Sequence, residues 1–219
     1  VHERQRPGPF QSAHPLVLAS GSPRRREILA GLGLDFHVAA NTTGEPAPDP
    51  GEAPADYVRR SARVKAAGVA RLRKDCFTLG ADTIVVVDGE VLGKPRGAGD
   101  ALDVLLRLSG RSHDVITGCC LQSPAFGEIK EFFVRTRVWF GSYPQDVLRA
   151  YVATGEPMDK AGSYAIQGVG AFLVERIEGS YTNVVGLPVH EVLGMLLAVG
   201  AVKPRPCPFL PPGFPPVPG

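Results

Sequence analysis

The run Phe77-Thr-Leu-Gly-Ala-Asp-Thr-Ile-Val-Val-Val87 constrains the fold more than any other stretch of the chain. A continuous apolar run with a β-branched end predicts a buried strand. Asp88-Gly89 follows, a dipeptide suited to a two-residue hairpin turn, and residue 90 starts the return strand, which runs to Gly93. Asp82 interrupts the run. A buried carboxylate is costly unless it is paired or bound to a metal, so Asp82 reads as a functional group rather than a stray core acid. The hairpin register brings Lys94 beside the 82–83 end of the strand; ideal alternation puts Thr83 rather than Asp82 on its face, and a bulge or the break at Pro95 would change that.

A second constrained stretch covers residues 16–30. Leu16, Val17 and Leu18 read as a short buried strand, and Ser20, Gly21 and Ser22 as a tight turn. Ser22 suits a helix N-cap, Pro23 the first helical position, and Gly33 the C-terminal stop. Arg24, Arg25 and Arg26 then stand in the first turn, where the helix dipole is already positive. That placement calls for an anion. Backbone N–H groups, two hydroxyls and guanidinium forks together make a phosphate cradle. Arg26 reads as a solvated cation of the helix start, and Arg24 and Arg25 as phosphate ligands.

The remaining chain alternates strand and helix signals. Leu34, Phe36 and Val38 alternate with polar residues as a half-buried strand does. The loop 41–54 carries Glu45, Asp49 and Glu52, with Glu45 nearest the strand end. A helix is predicted over 54–73, with Val58, Ala62, Val69 and Leu72 on one stripe. Lys65 falls in the gap of that stripe, where it either snorkels outward or points at a buried anion; the anion is preferred. Residues 98–109 predict a helix with Leu102, Leu105 and Leu106 inward, and 113–121 and 129–140 predict strands. Ser142 with Gln145 reads as a capping box for a helix ending near Gly155. Residues 156–188 are dense in glycine and polar side chains, which lets the backbone approach something closely. Within them, the Gln167 amide suits the edge of a nucleobase. A strand over 171–177 and a helix over 188–199 close the pattern.

A formal net charge of +2 over 219 residues argues against a general binder of nucleic acid polymers or membrane surfaces. No apolar run approaches the roughly 20 residues of a membrane span, and residues 1–14 lack a signal peptide's apolar core, so a cytoplasmic location is expected. Cys76, Cys119, Cys120 and Cys207 form no CxxC pair; neither a zinc site nor a disulfide framework is expected, and Cys119 and Cys120 read as core. Residues 1–14 read as a flexible leader, 15–200 as one domain, and 201–219 as a Pro-rich disordered tail.

Several cations and two carboxylates, Glu45 and Asp82, fit a polyphosphate with a divalent metal. Neither a Ser-His-Asp set nor the P-loop pattern is present. The motifs Leu18-Ala-Ser-Gly-Ser-Pro-Arg-Arg25, Gly80-Ala-Asp-Thr-Ile-Val85, Gly93-Lys-Pro95, Leu108-Ser-Gly-Arg-Ser-His113, Asp159-Lys-Ala-Gly-Ser-Tyr164 with Ile166-Gln-Gly168, and Val185-Gly-Leu-Pro188 occur in that order. Together they resemble the Maf family of nucleoside triphosphate pyrophosphatases, from Leu16 to about Val199.

The resemblance implies an α/β fold with a mixed central sheet, flanking helices and a deep cleft, like that of inosine triphosphate pyrophosphatases. It implies hydrolysis of a nucleoside triphosphate to the monophosphate and pyrophosphate. Asp82 would accept the proton of the attacking water. Ser20, Arg24, Arg25, Lys65 and Lys94 would hold phosphates, and Glu45 with Asp82 would hold a divalent cation such as Mg²⁺, Mn²⁺ or Co²⁺. Lys160-Ala-Gly-Ser-Tyr with Gln167 is similar to the branch acting on dTTP and UTP, whereas the branch acting on 7-methyl-GTP typically carries glutamate at the Gln167 position. Arg25, Thr83 and Gln167 would then set substrate specificity. Gly44 stands where many relatives carry an acidic residue. Relatives suggest a homodimer. The alternative is a non-catalytic nucleotide-binding regulator, for instance of cell division.

Overall fold

A computed structural model describes residues 8–39, 44 and 46–206. In chain order the elements are β1 (Phe10–Ser12), β2 (Leu16–Leu18), α1 (Pro23–Gly31), β3 (His37–Val38), α2 (Pro54–Ala70), β4 (Phe77–Val87) and β5 (Glu90–Leu92). They continue with α3 (Ala98–Leu108), β6 (Ser112–Ser123), β7 (Glu128–Phe140), α4 (Gln145–Ala153), β8 (Val174–Glu178), α5 (Tyr181–Val185), α6 (Val189–Ala198) and β9 (Val202–Pro204). Among the described residues no helix is long and apolar enough to cross a membrane.

The strand predicted over 77–87 is the spine of the molecule. The main sheet runs β3-β2-β4-β6-β7-β8, with β5 also on β4. β2 lies parallel to β3 and β4, and β4, β6, β7 and β8 are antiparallel in turn, so the sheet is mixed. The Asp88-Gly89 turn has φ of 53° and 79°, the positive pair that a tight hairpin demands. Leu79, Ala81, Val85 and Val87 point to one face. There α1 and α6 pack at one end through Leu29, Val192 and Leu196, and α3 and α4 at the other through Leu105, Leu108 and Leu148. Ile84 and Val86 point to the opposite face and meet Tyr57 and Val58 of α2.

Helix α2 approaches the sheet unusually closely. A Cβ on Gly80 would lie 2.4 Å from the Ala62 carbonyl oxygen, and one on Gly118 2.3 Å from that of Val58. Glycines on two adjacent strands therefore let the helix backbone rest on the sheet.

One edge of β4 is covered in two pieces. β2 pairs with residues 77–79, and β5 pairs with 85–87. Between them, residues 80–84 have no strand partner on that side among the described residues. The gap lies beyond the carboxyl end of β2, where open α/β sheets place their ligands.

Several local expectations change. Leu72 is 84% exposed, because α2 stops at Ala70 and the chain turns toward β4 before the stripe reaches it. Leu106 is exposed, since the sheet takes the Ala101, Leu105 and Leu108 face of α3. Ser142 does not cap α4: Pro144 holds the N-cap position, and Ser109 Oγ accepts the Tyr143 N–H. Residues 168–173 form 3₁₀ turns, so the strand expected from 171 begins at Val174. Helix α5 was not expected at all.

Residues 10–12 and 202–204, expected in a leader and a tail, pair antiparallel as β1 and β9. Phe10 packs against the core, and Arg205 donates to the carbonyls of Gly8 and Phe10 at 3.2 Å each. An apolar anchor and a guanidinium fork thus order segments whose composition alone reads as loose. Residues 1–7 and 207–219 lie outside the described residues.

Candidate active site

The open edge of β4 forms the floor of a cavity of about 490 Å³. Ser20, Arg24, Arg25, Lys65, Asp82, Thr83, Lys94 and Gln167 all line it. These sequence-predicted residues thus converge from five separate segments. Glu45, the other expected metal ligand, lies outside the described residues.

Asp82 and Lys65 form the buried heart of the site. Lys65 Nζ donates to Asp82 Oδ1 at 2.7 Å, and each residue is 8% exposed. The buried anion anticipated for Lys65 is therefore the carboxylate that interrupts the strand. The close seat of α2 on Gly80 and Gly118 makes this reach short. Tyr57, Ser61 and Lys65 form an i, i+4, i+8 row on α2, and Tyr57 also faces the cavity.

The three arginines of α1 divide the work. Arg26 is exposed, Arg24 is half-buried on the cavity wall, and Arg25 is buried. Arg25 Nε donates to the Gly186 carbonyl at 2.8 Å, Nη1 to Ser20 Oγ at 3.1 Å and Nη2 to Thr83 Oγ1 at 3.0 Å. Thr83 Oγ1 is 2.9 Å from Thr117 Oγ1, which donates to the Asn183 carbonyl. Arg25 thereby ties the first turn of α1 to the spine strand and to α5.

Ser20 Oγ also accepts the Ser22 N–H at 3.2 Å. Its oxygen lone pairs are engaged by Arg25 and Ser22, which leaves its O–H to donate into the cavity. Ser22 holds the N-cap position of α1 but caps with no side-chain hydrogen bond, so the first-turn N–H groups, which belong to the cavity-lining Arg24 and Arg25, carry no side-chain cap. Hydroxyl, N–H groups, Arg24 and the exposed Lys94 together present donors and positive charge to an anion.

The far wall holds residues that local sequence signals did not mark as ligands. Asp159, Lys160 and Tyr164 line it. Lys160 Nζ donates to Asp159 Oδ1 at 2.6 Å and, with Arg24 across the mouth, holds that carboxyl below the usual carboxylate range. Asp159, Lys160 and Tyr164 all stand in the run Asp159-Lys-Ala-Gly-Ser-Tyr164, whose resemblance to the family was the available signal. Cys119 and Cys120 are buried, and burial pushes both thiols up to about 12, so neither serves as a nucleophile.

Among the described residues, no three His, Cys, Asp or Glu side chains converge as a metal cage. One carboxylate beside a phosphate cradle instead fits a hard cation that arrives with phosphate oxygens and keeps part of its own water shell.

Comparison with known proteins gives the family of the chain. A family model described as Maf-like protein matches residues 15–199. A dTTP/UTP pyrophosphatase of Nitratidesulfovibrio vulgaris is 53% identical over 195 residues, covering 89% of this chain and 92% of that protein. Proteins of the same name from Oleidesulfovibrio alaskensis and Geobacter metallireducens are 48% and 51% identical, covering 90% and 85% of this chain and 90% and 97% of their own lengths. Among solved structures, a nucleoside-triphosphatase / dITP/XTP pyrophosphatase from Mycobacterium abscessus aligns with a TM-score of 0.41 at 16% identity, covering 84% of this chain and 92% of that one. With the family model spanning the whole cleft and the relatives matching nearly end to end, this chain belongs to the Maf family.

Proposed function

We propose that this chain is a nucleoside triphosphate pyrophosphatase that hydrolyses dTTP and UTP, and modified pyrimidine nucleotides, to the monophosphate and pyrophosphate. The observation that carries the reaction is Asp82, held by Lys65 at the open edge of β4 in one cleft with Ser20, Arg24 and Lys94. The names of relatives about half identical to this chain support the choice of nucleotide.

The chemistry follows from where the donors stand. Asp82 Oδ1 accepts from Lys65, so Oδ2 takes the proton of the attacking water. The water oxygen bonds to the α-phosphorus. The bond from that phosphorus to the bridging oxygen breaks, and pyrophosphate leaves with the electron pair. Negative charge grows on the departing group, where Arg24, Lys94, the Ser20 hydroxyl and the α1 N–H groups are already aimed. A divalent cation, Mg²⁺, Mn²⁺ or Co²⁺, would be held by Asp82 and phosphate oxygens, with Glu45 as its further protein ligand, and would supply additional neutralisation of phosphate charge.

Arg25 and Thr83 belong, in this reading, to the wall that selects the nucleotide, with Gln167 reading the base. The Gln167 amide can donate to a carbonyl and accept from an N–H, the edge that thymine and uracil share. The cytoplasm, where nucleoside triphosphates are made and consumed, is the compartment this reading implies.

The deciding experiment measures pyrophosphate release from each nucleoside triphosphate with Mg²⁺, Mn²⁺ and Co²⁺ in turn. dTTP and UTP should turn over fastest. Tight nucleotide binding with no release under any of these metals would make the chain a binding regulator instead.

A further inference from the structure

Residues 165–170 carry Gln167 and are gripped on both sides by one pair of side chains. Tyr151, near the end of α4, is 2% exposed. Its hydroxyl accepts the Ala165 N–H at 3.3 Å and donates to Glu156 Oε2 at 2.8 Å. Glu156 lies in the turn just after α4. Its Oε1 accepts the Val169 N–H at 3.0 Å, and its Oε2 accepts the Gly170 N–H at 2.8 Å. The backbone is therefore tied two residues before Gln167 and again two and three residues after it.

The glycines of this segment leave room for that grip. Gly168 has φ of 76°, and a Cβ there would lie 2.3 Å from Glu156 Oε1. A Cβ on Gly170 would lie 2.4 Å from the Tyr151 hydroxyl. Burial works to raise the Glu156 pKa, and the hydrogen bonds from Tyr151, Gly170 and Val169 outweigh it, holding the carboxyl below the usual range. It stays an acceptor for all three donors near neutral pH.

Gln167 itself is exposed on the cavity wall. A solvent-facing amide discriminates between bases only if its backbone is fixed, because a loose one re-aims to suit either edge. We propose that Tyr151 and Glu156 are positioning residues for base recognition: neither lines the cavity, and together they fix the backbone around Gln167 and so set which nucleobase the cleft accepts. This rests on Gln167 reading the base, as argued under the proposed function.

The test compares Glu156→Gln, Tyr151→Phe and Gln167→Ala in the full chain. For each, kcat and KM are measured on dTTP and on 7-methyl-GTP, with thermal melting to confirm folding and pyrophosphate inhibition to report the phosphate site. Glu156→Gln should lower the dTTP over 7-methyl-GTP ratio of kcat/KM by about tenfold, mainly through KM for dTTP, and leave inhibition by pyrophosphate unchanged. Tyr151→Phe, which removes only a hydroxyl, should shift the ratio in the same direction. Added to Gln167→Ala, Glu156→Gln should change the ratio little further, because it acts through that side chain. If Gln167→Ala shifts the ratio while Glu156→Gln and Tyr151→Phe leave it intact, the positioning role is overturned and the reading of Gln167 survives. An unchanged ratio in Gln167→Ala itself overturns both.

Discussion

Lys65 Nζ stands 2.7 Å from Asp82 Oδ1, where a helix resting on two glycines delivers its only buried cation to the only carboxylate of the spine strand. Removing one partner of such a pair strands a charge with little water around it. Lys65→Met should cost about 3 kcal/mol of stability, read by urea melting. Asp82→Asn keeps the shape and should lower kcat by roughly 10²–10⁴-fold, as expected for a lost general base. The double variant Lys65→Met/Asp82→Asn should regain most of the stability and none of the turnover. A Lys65→Met protein as stable as the wild type would show that the pair carries no folding role.

The close seat of α2 yields a prediction far from any ligand. In Gly118→Ala the new methyl would meet the Val58 carbonyl at 2.3 Å, so the helix must lift from the sheet. Overpacking of this kind costs about 1–3 kcal/mol. Lys65 moves with α2, and a displacement near 1 Å at a reacting centre can cost on the order of 10²-fold in rate. Gly118→Ala should therefore melt earlier and turn over more slowly, although residue 118 does not line the cavity. Unchanged melting and kcat would mean that the helix has slack at this point.

Much of this site was legible because its parts carry local contradictions. Asp82 breaks an apolar run, and the arginines of α1 oppose a helix dipole; each conflict singled out on its own a residue that the fold brings to the cavity. The partnership of Lys65 with Asp82 was not legible, since it depends on where α2 crosses β4 and β6, a tertiary contact that Gly80 and Gly118 allow to be close. The Thr83–Lys94 register was also beyond reach. Strand pairing ends at Leu92, so ideal alternation says nothing about where Lys94 points. The grip of Glu156 on residues 169 and 170 left no trace in periodicity, because its acceptors serve backbone N–H groups rather than a side-chain motif.

Arg24 and Arg25, adjacent in sequence, should fail in different ways. Arg24 is half-buried at the cavity wall, so Arg24→Ala should leave stability within about 0.5 kcal/mol of wild type. Its KM for the triphosphate should rise by roughly ten- to hundredfold, the worth of one charge-assisted contact. Arg25→Ala strips donors from Ser20, Thr83 and the Gly186 carbonyl, and should destabilise the fold by about 2 kcal/mol as well as lowering activity. Arg25→Lys should not restore function, because an ammonium cannot reproduce the three-way fork. Equal melting temperatures for the two alanine variants would refute this division.

His113 makes folding sensitive to mild acid. Its Nε2 lies 2.8 Å from the Tyr164 hydroxyl, the ring packs edge-on to Phe140, and it is 3% exposed. Burial lowers its pKa from 6.5 to about 4, with Asp114 opposing only in part. The folded state therefore resists a proton that the unfolded chain accepts readily below pH 6.5. Stability should be full above that value and fall as pH drops toward 4, because the unfolded state then binds more protons. The loss should reach about 2 kcal/mol by pH 5 and about 3 kcal/mol near pH 4. Urea melts at pH 7 and pH 5 measure it, and His113→Gln supplies the control. That variant lacks the titrating ring, so its stability should change less between the two pH values than wild type does, whatever its absolute stability. An equal change in both proteins would place the acid sensitivity elsewhere in the fold.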